Sequence, residues 1–484
     1  MAYTPTADFE TRMTNLAGSA PSICTKAAFP NATVSEGIGP TTYSYLTIAK
    51  GGGTRPTLLI VAGMHAREWA QPDAAMSFAE KLVTTATGTA PFTIPAYTDA
   101  TGGTHGPITV ANAQIKRMVD ELTIIIVPVA NPDGRAFSEA NAANKGWRKN
   151  RAPRAVAADP FTVGVDINRN FDIAWDFEVY FSPAFVATGA ISASKDPADP
   201  GQRYIGPAAA GPASQPEVKN LVWLLVNKPI TYCIDLHSYS ELVMYPWGIE
   251  KNGSDPAQTF RVSSFDRTRD GHLSNAYSEY FPNISPLRLL DRHDTIAQSM
   301  RDGVKAATGR TYTVGQIATT VYPATGSLSD YAFSRQFTVS GSPPIYSFAI
   351  EFGTSADNFQ PDPKSPHGYD KIEREVHAVL LRYLEAALPA KTASGDDTCP
   401  FSIAVVWIAA GAQWLDAIRA LRETLLARAS TRGPMLAINR LYRSAGRRWG
   451  PAIARRRWLQ AAIAYGMVAP VAAVSTLANR GLAR

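Results

Sequence analysis

A buried strand that ends in two potential metal ligands constrains the fold of this chain more than any other feature. Residues 58–62 read Leu-Leu-Ile-Val-Ala, a short apolar run typical of a strand that is covered on both faces. The segment that follows places His65 and Glu68 three residues apart. An imidazole nitrogen and a carboxylate at this spacing can bind the same ion, and catalytic zinc takes three such ligands and a water. The pair alone is a weak indication, because a chain with seven histidines often contains one by chance.

Two later apolar strands end in residues that could complete such a site. Residues 230–236 form a β-branched run that leads to His237, a candidate third ligand, and residues 346–353 carry Glu351 within an otherwise apolar strand. A charge in such a strand is costly to bury unless it is paired or has a function. The carboxyl ends of parallel strands meet at one edge of a sheet, which would bring these side chains together. A buried core histidine is the alternative interpretation of His237 considered alone.

Arginines and a tyrosine in predicted loops could bind an anionic substrate. Arg148 lies in Trp-Arg-Lys-Asn and Arg169 in Asp-Ile-Asn-Arg-Asn-Phe, and a guanidinium suits bidentate binding of a carboxylate. Arg151 and Arg154, by contrast, are predicted to be solvated surface residues. Tyr322 stands on a loop with proline and glycine, which either closes over a substrate or is a simple turn.

Five motifs, taken together and in order, resemble those of the pancreatic-type zinc metallocarboxypeptidases. They are His-Ala-Arg-Glu-Trp (65–69), Asn-Arg-Asn-Phe (168–171), Asp-Leu-His-Ser-Tyr (235–239), Tyr-Pro-Ala-Thr-Gly (322–326) and Ala-Ile-Glu-Phe (349–352). The resemblance covers residues 8–388, about four fifths of the chain. It implies an α/β/α sandwich, in which a mixed, twisted sheet of about eight strands has helices on both faces.

The resemblance assigns residues to the metal and to the reaction. It implies that one zinc ion per chain is bound by His65, Glu68 and His237. Asp166 would orient His65 from the second layer of contacts, as metal-bound histidines usually require. Glu351 would be the general base that takes a proton from the attacking water, and Arg148 would stabilise the oxyanion.

The resemblance also assigns residues to the peptide substrate. Asn168, Arg169 and Tyr322 would bind the free terminal carboxylate, which would limit cleavage to the last residue. Arg67 and Tyr239 match family positions that line the groove for the rest of the peptide.

The same alignment outlines a pocket for the terminal side chain. Ser329 would form its floor, with Ile317 and Ala349 on the walls. None of the three is charged, so neutral or apolar terminal side chains are expected. A shift of one residue in the alignment would place Asp330 at the floor instead.

These roles imply a zinc-dependent metallocarboxypeptidase, a hydrolase whose partners are the C-termini of peptides and proteins. One alternative is a peptidase or amidase that acts on cell-wall peptides, because the same zinc chemistry serves both. A second alternative is a carboxypeptidase-like scaffold used for binding or membrane anchoring. Silent relatives usually lose a ligand or the base, and here neither is lost, which argues against the scaffold. Nucleic-acid binding is not expected, since the arginine clusters lack a supporting fold motif.

Length and periodicity agree with an enzyme of this kind. The 484 residues predict one large catalytic domain, residues 1–395, and an appendage, residues 396–484. Strands are predicted at 43–49, 57–62, 122–130, 230–236, 241–246 and 345–352, and helices at 71–86, 214–227, 293–307 and 369–386. Stretches rich in proline and glycine at 87–107, 182–216 and 338–344 are predicted to be long surface loops.

The C-terminal tail has an unusual composition. Residues 401–484 contain thirteen arginines, no lysine and two acidic residues, a net charge of +11 in a chain of net charge +6. The uncharged run 458–479 follows three arginines and is long enough to span a bilayer, but it is rich in alanine and contains Pro470. Residues 403–430 fit an amphipathic helix. Three interpretations stand: a soluble helical tail of unknown role, a membrane-associated element, or a segment without a selected function.

The N-terminus and the cysteines give indications of the cellular compartment. Residues 1–8 have neither the basic nor the apolar region of a secretory signal, which predicts a cytoplasmic location or one at a membrane through the tail. Secretion is expected only by analogy with the family. Free thiols are expected at Cys24, Cys233 and Cys399, and a disulfide between Cys24 and Cys399 is the alternative.

Overall fold

The computed structural model of the chain describes residues 2–37, 40–250, 260, 263–271 and 291–389. The strands, in chain order, are Cys24–Ala28 (β1), Ser44–Ile48 (β2), Thr57–Ala62 (β3), Phe92–Ile94 (β4), Tyr97–Thr98 (β5), Thr104–His105 (β6), Ile108–Val110 (β7), Thr123–Val127 (β8), Ile230–His237 (β9), Leu242–Tyr245 (β10), Thr313–Gln316 (β11) and Tyr346–Glu351 (β12). The helices are Asp8–Ser19 (α1), Ala70–Thr87 (α2), Asn112–Glu121 (α3), Pro132–Glu139 (α4), Phe177–Tyr180 (α5), Pro183–Val186 (α6), Pro216–Asn227 (α7), Asp291–Thr308 (α8), Ile317–Thr320 (α9), Leu328–Thr338 (α10) and Tyr369–Ala387 (α11).

Eight of these strands form one mixed sheet in the order β1-β2-β8-β3-β9-β12-β10-β11. The central strands β8, β3, β9 and β12 run parallel to one another. On either side, β2 pairs antiparallel with β8, and β10 pairs antiparallel with β12. The sheet thus has a parallel centre and antiparallel flanks, and the predicted mixed sheet of about eight strands is confirmed.

Both faces of the central strands are buried, which explains their nearly continuous apolar sequence. All six residues of β3 are buried. Leu59 and Val61 belong to a cluster that also contains Leu221 of α7 and Leu328 of α10. The alternate residues of β3 face the other side of the sheet, because successive side chains of a strand point in opposite directions. There α2 contacts β3 and packs against α3 and α11. Helices therefore cover both faces, and the α/β/α sandwich is confirmed.

The strand order opens a crevice at the carboxyl edge of the sheet between β3 and β9. From β3 the chain passes to β8 on one side, whereas from β9 it passes to β10 on the other side. In open α/β sheets, such a reversal leaves room for a ligand outside the carboxyl ends of the strands. His65 follows β3, His237 ends β9 and Glu351 ends β12. The topology therefore brings three of the predicted site residues to one edge.

Sequence patterns located the elements that border this crevice. Each of the predicted strands and helices is present, with ends that differ from the prediction by at most about three residues. The predicted surface loop at 87–107 is wrong in part, because it contains strands of two small antiparallel sheets, β4–β7 and β5–β6. Strands of two or three residues are too short to show a periodic pattern.

Arg151 is a further correction. Its predicted place in solvent is wrong, because its guanidinium carbon lies 3.7 Å from the ring centroid of Phe137 and 4.9 Å from that of Trp147. Stacking on two aromatic rings compensates the buried cation. Arg154 is partly exposed and pairs with Glu36, as a surface residue would.

Several expectations fall on residues outside the described ranges. The elements given above belong to one compact unit, whose described residues lie within 1–280 and 290–388. The helical tail at 396–484, the boundary at 395 and the membrane association stay predictions. Cys24 and Cys233 are free and buried, while Cys399 lies outside the described part. Among the described helices, none combines the length and the apolar character that a membrane crossing requires.

A buried carboxyl group on α7 links the stability of the fold to pH. Glu217 is fully buried and accepts a hydrogen bond of 3.1 Å from Asn150 Nδ2. Burial raises the pKa of Glu217 to about 7. The folded chain therefore holds a proton that the unfolded chain releases between about pH 4.5 and 7, so this group lowers stability as pH rises through that window.

Replacement of this carboxyl group by an amide should remove its pH dependence. We expect the loss in free energy of unfolding between pH 5 and pH 8 to be smaller in Glu217→Gln than in the unaltered chain, by about 2 to 3 kcal/mol. Urea denaturation at the two pH values measures the difference. Equal losses in both proteins would show that Glu217 is already ionised in the folded state at pH 5.

Candidate metal centre

A glycine after β3 sets the path of the chain toward the first ligand. Gly63 has a φ of 65°, and a Cβ atom there would lie 3.1 Å from Pro72 Cγ and 3.2 Å from Val129 Cα. Its carbonyl accepts a bond of 3.1 Å from the backbone N–H of Asn131. A residue with a side chain would strain both the backbone and this contact. The turn therefore needs glycine, and it directs His65 into the crevice.

Three donor atoms converge in the crevice from two strands. Nδ1 of His65 lies 2.7 Å from one oxygen of Glu68 and 3.1 Å from Nδ1 of His237, and the second Glu68 oxygen lies 3.1 Å from Nδ1 of His237. All three side chains are buried. A tetrahedral zinc ion keeps its donor atoms about 3.3 Å apart. The set is thus near the required geometry, and a cation would satisfy two facing ring nitrogens that cannot both donate. Of the described residues, these three form a group able to hold a metal ion.

The charges of this group depend on one another. Burial by itself would raise the pKa of Glu68, but the facing His65 and His237 hold the pKa well below its usual range. Burial would lower the pKa of His237, and the adjacent carboxylates of Asp235 and Glu68 raise it on balance. Glu68 is consequently an anion in the folded chain, as a metal ligand must be.

Each histidine has a carboxylate behind it. Asp166 Oδ1 lies 3.5 Å from Nε2 of His65, and this nitrogen has no hydrogen-bond partner among the described residues. Asp235 Oδ2 lies 2.6 Å from Nε2 of His237. The sequence analysis missed Asp235, although its position two residues before His237 on one strand places both side chains on the same face.

Arg148 shares the carboxylate of Asp166. Its Nε and one terminal nitrogen both lie 2.9 Å from Asp166 Oδ2. Burial alone would raise the pKa of Asp166, yet the Arg148 guanidinium holds it well below its usual range. Backbone contacts fix the arginine as well, since Gln202 accepts from its N–H at 2.7 Å and its carbonyl accepts from Ala66 at 3.1 Å. The guanidinium of Arg148 is therefore held rigidly beside the three candidate metal ligands.

Glu351 stands opposite His237 in the register of β9 and β12. One of its carboxylate oxygens has no hydrogen-bond partner among the described residues. Burial raises the pKa of Glu351 to about 7, although the positive charge of His237 opposes the shift. A carboxylate with a free oxygen and a pKa near neutrality can both accept and return a proton.

The residues predicted to bind a terminal carboxylate lie together beyond the metal ligands. Asn168 and Arg169 belong to a 3-10 turn, and both are buried. Arg169 donates to the carbonyl of Ser192, to Ser192 Oγ at 3.2 Å and to the carbonyl of Asn168 at 2.8 Å. The ring of Tyr322 lies 5.9 Å from the Arg169 guanidinium. The N–H of Ser192, which the sequence did not single out, also donates to the carbonyl of Pro323 at 2.7 Å and so connects Arg169 to the tyrosine loop.

Three side chains near the proposed metal ligands stack on one another. The guanidinium of Arg67 lies 4.0 Å from the ring centroid of Phe359, and the ring of Tyr239 lies 4.9 Å from the same ring. Gln360 bonds the carbonyl of Arg67 and so joins the two loops. Phe359 was not predicted, because a single aromatic residue in a polar loop carries no pattern.

Two of the residues predicted to line a side-chain pocket lie in apolar surroundings. Ile317 and Ala349 form a buried cluster with Leu242 and Met244, against which Val321 packs.

Two polar residues of α10 lie near this cluster. Ser329 is buried on the first turn of the helix, and its carbonyl accepts a bond of 2.7 Å from Ser347 Oγ. The carboxylate of Asp330 accepts backbone bonds of 2.8 to 3.0 Å from Gly248 and Ile249. The side chain of Asp330 is therefore engaged inside the fold, which opposes the one-residue shift that would have placed it at the pocket floor.

Comparison with known proteins agrees with this geometry. The zinc carboxypeptidase family model matches residues 40–376. Carboxypeptidase A2 of Mus musculus is 28% identical over 301 residues, which are 62% of this chain and 52% of that protein. Carboxypeptidase B of Homo sapiens is 26% identical over 309 residues, which are 63% of this chain and 53% of that protein. The chain thus spans about half the length of these curated relatives.

Two solved structures share the fold. Bovine thrombin-activatable fibrinolysis inhibitor in complex with tick carboxypeptidase inhibitor aligns with a TM-score of 0.54 at 18% identity, over 80% of this chain and 97% of that chain. Carboxypeptidase A from Helicoverpa armigera aligns with a TM-score of 0.54 at 19% identity, over 80% of this chain and 74% of that chain.

Proposed function

Since this chain belongs to the zinc carboxypeptidase family, we propose that it is a zinc-dependent exopeptidase that hydrolyses the last peptide bond of peptides and proteins. The observation that carries the proposal is the convergence of three metal donors with the free carboxylate oxygen of Glu351 and the buried guanidinium of Arg148. A silent scaffold is not favoured, because neither a metal ligand nor the base is lost. A cell-wall peptidase or amidase is not favoured, because the curated relatives described above are carboxypeptidases of the A and B types.

The metal ligands in this proposal are His65, Glu68 and His237, which would hold one zinc ion per chain. Their buried donor atoms are close to tetrahedral spacing, and Asp166 orients His65 from behind. A bound zinc ion supplies Lewis acidity toward the scissile carbonyl and makes water more acidic.

Glu351 is the proposed general base, and Arg148 the proposed oxyanion donor. Glu351 would take a proton from the attacking water and give it to the leaving amine, which requires the free oxygen that the residue has. Arg148 keeps its charge because Asp166 pairs with it. A fixed cation stabilises developing negative charge without reorganisation during the reaction.

Two substitutions should separate metal binding from proton transfer. His237→Ala should lose both zinc and activity, because two ligands hold the ion poorly. Glu351→Gln should keep one zinc per chain and the fold, but turnover should fall by about 10²- to 10⁴-fold since the base is lost. Metal analysis and steady-state kinetics on the same samples test both. Near-normal turnover of zinc-loaded Glu351→Gln, or a His237→Ala protein that keeps its zinc, would contradict the assignment.

The proposed site for the terminal carboxylate consists of Asn168, Arg169 and Tyr322. Arg169 is buried, and its hydrogen bonds go to neutral acceptors of Ser192 and Asn168. Its positive charge is therefore available for an anion. This contact would select peptides by their free C-terminus and would set the distance from the terminus to the cleaved bond.

Loss of the substrate carboxylate should abolish the preference for exopeptidase cleavage. We expect Arg169→Ala to raise KM for a free-acid dipeptide by about tenfold to a hundredfold, because a charged hydrogen bond is removed. The same change should have little effect on the C-terminal amide, which the unaltered enzyme cleaves slowly. Arg154→Ala is the matched control, since Arg154 pairs with Glu36 at the surface. Equal rates on acid and amide would indicate an endopeptidase or amidase.

We also propose a preference for neutral or apolar terminal side chains. The support is the apolar cluster around Ile317 and Ala349, together with the uncharged Ser329 and the internal engagement of Asp330. The rest of the peptide would pass along Arg67 and Tyr239.

A panel of blocked dipeptides tests this preference. With terminal Phe, Leu, Lys and Asp, kcat/KM should be highest for Phe or Leu, by about tenfold or more, because burial of an apolar side chain contributes about 1.5 to 3 kcal/mol. Ser329→Asp should improve Lys relative to Phe if this residue faces the pocket. Highest kcat/KM for Lys in the unaltered enzyme would contradict the proposal.

A further inference from the structure

Asp235 is a charged residue in a place that normally holds an apolar one. It lies within β9, next to Val61 of β3 and Ala349 of β12 in the sheet register. Its side chain is almost completely buried, and its Oδ1 atom has no hydrogen-bond partner within the described part of the chain. Burial of a half-satisfied carboxylate at the centre of a sheet destabilises the fold unless strong contacts or a function offset the cost.

The other oxygen of this residue has two partners. Asp235 Oδ2 lies 2.6 Å from Nε2 of His237 and 3.2 Å from Nδ2 of Asn168. Next to a carboxylate, His237 Nε2 carries a proton and donates it, because two acceptors would repel each other. Nδ1 of the same ring faces His65 and Glu68, and it is the nitrogen that can lose its proton when a metal ion binds, because the hydrogen bond to Asp235 holds the other proton on Nε2. The network therefore favours the tautomer that a metal ligand needs.

Asn168 is held in place by the same carboxylate. Its amide nitrogen donates to Asp235, and its amide oxygen accepts a bond of 2.9 Å from the backbone N–H of Leu328 at the start of α10. An amide nitrogen has two hydrogens. One hydrogen of Asn168 Nδ2 is bound to Asp235, so the second hydrogen can point toward the proposed site of the substrate carboxylate.

We infer that Asp235 is a positioning residue that couples the metal ligand His237 to the substrate-binding amide of Asn168. This inference rests on the proposed function, since it gives both partners the roles argued above. One oxygen fixes the ring of His237 for the metal and the amide of Asn168 for the substrate carboxylate. A carboxylate behind a metal-bound histidine also increases the basicity of the ligand.

A substitution of Asp235 should distinguish a positioning role from a merely structural one. An aspartate that served the fold alone would alter stability when replaced, but it would not alter the affinity of folded protein for zinc. An asparagine at the position has the same shape and no negative charge. Its amide oxygen can still accept from both donors, but it holds them more weakly than a carboxylate does.

Zinc affinity is the first measurement. We expect Asp235→Asn to weaken zinc binding by about 10- to 100-fold in competition with a chromogenic chelator. Asp133→Asn is the matched control, because Asp133 is equally buried and bonds Ser35. That control is expected to change stability while zinc affinity stays within about twofold. Folded Asp235→Asn with unaltered zinc affinity would overturn the inference alone, whereas an unaltered chain that binds no zinc would overturn the proposed function as well.

Coupling to the substrate site is the second measurement. At saturating zinc, Asp235→Asn should raise KM for a free-acid dipeptide severalfold more than it changes kcat. In a double-mutant cycle with Asn168→Ala, the effects on KM should be less than additive, because each single change already breaks the shared contact. Fully additive effects, or an unaltered KM in Asp235→Asn, would overturn the coupling.

Discussion

The parallel pairing of β3, β9 and β12 is the constraint on which the site depends. Hydrogen bonding in register places the ends of these strands side by side, so that Glu351 pairs with His237 and Ala62 with Leu236. Ligands that are about 170 residues apart in sequence are thereby brought within one hydrogen-bond length. A slip of one residue in β12 would turn Glu351 to the opposite face of the sheet, because side chains alternate. The sheet sets the distance between the proposed base Glu351 and His237, and the turn at Gly63 brings His65 to the same place.

The second requirement is charge balance in a buried crevice. Glu68 faces two histidines, Asp166 pairs with Arg148, and Asp235 accepts a hydrogen bond from His237. Each of these anions has a cationic or donating neighbour, which is what makes its burial tolerable. Glu351 differs, since burial raises its pKa to about 7. A carboxyl group that titrates near neutral pH can take up and return a proton, which suits the role of general base proposed for it.

Much of this arrangement could be read from the sequence, for physical reasons that also explain the failures. Short apolar runs that end in His or Glu indicate strand ends, and the five motifs gave the resemblance. Asp235 was not predicted, because the strand was interpreted through His237 alone. An acidic residue two positions away on the same buried strand nevertheless indicates a partner for the histidine. Phe359 and the stacked Arg151 were missed because pairing of a loop residue with a distant ring has no local pattern. The short strands at 92–105 lie in a stretch whose composition predicts only turns.

The proposed chemistry depends on one metal ion bound between β3 and β9 by two imidazoles and a carboxylate. Anomalous diffraction at the zinc absorption edge, from crystals of the zinc-loaded protein, locates this ion. We expect one strong peak at about 2.0 to 2.2 Å from Nδ1 of His65, Nδ1 of His237 and the carboxylate of Glu68. A peak at another location, or an ion bound through the opposite ring nitrogens, would contradict it.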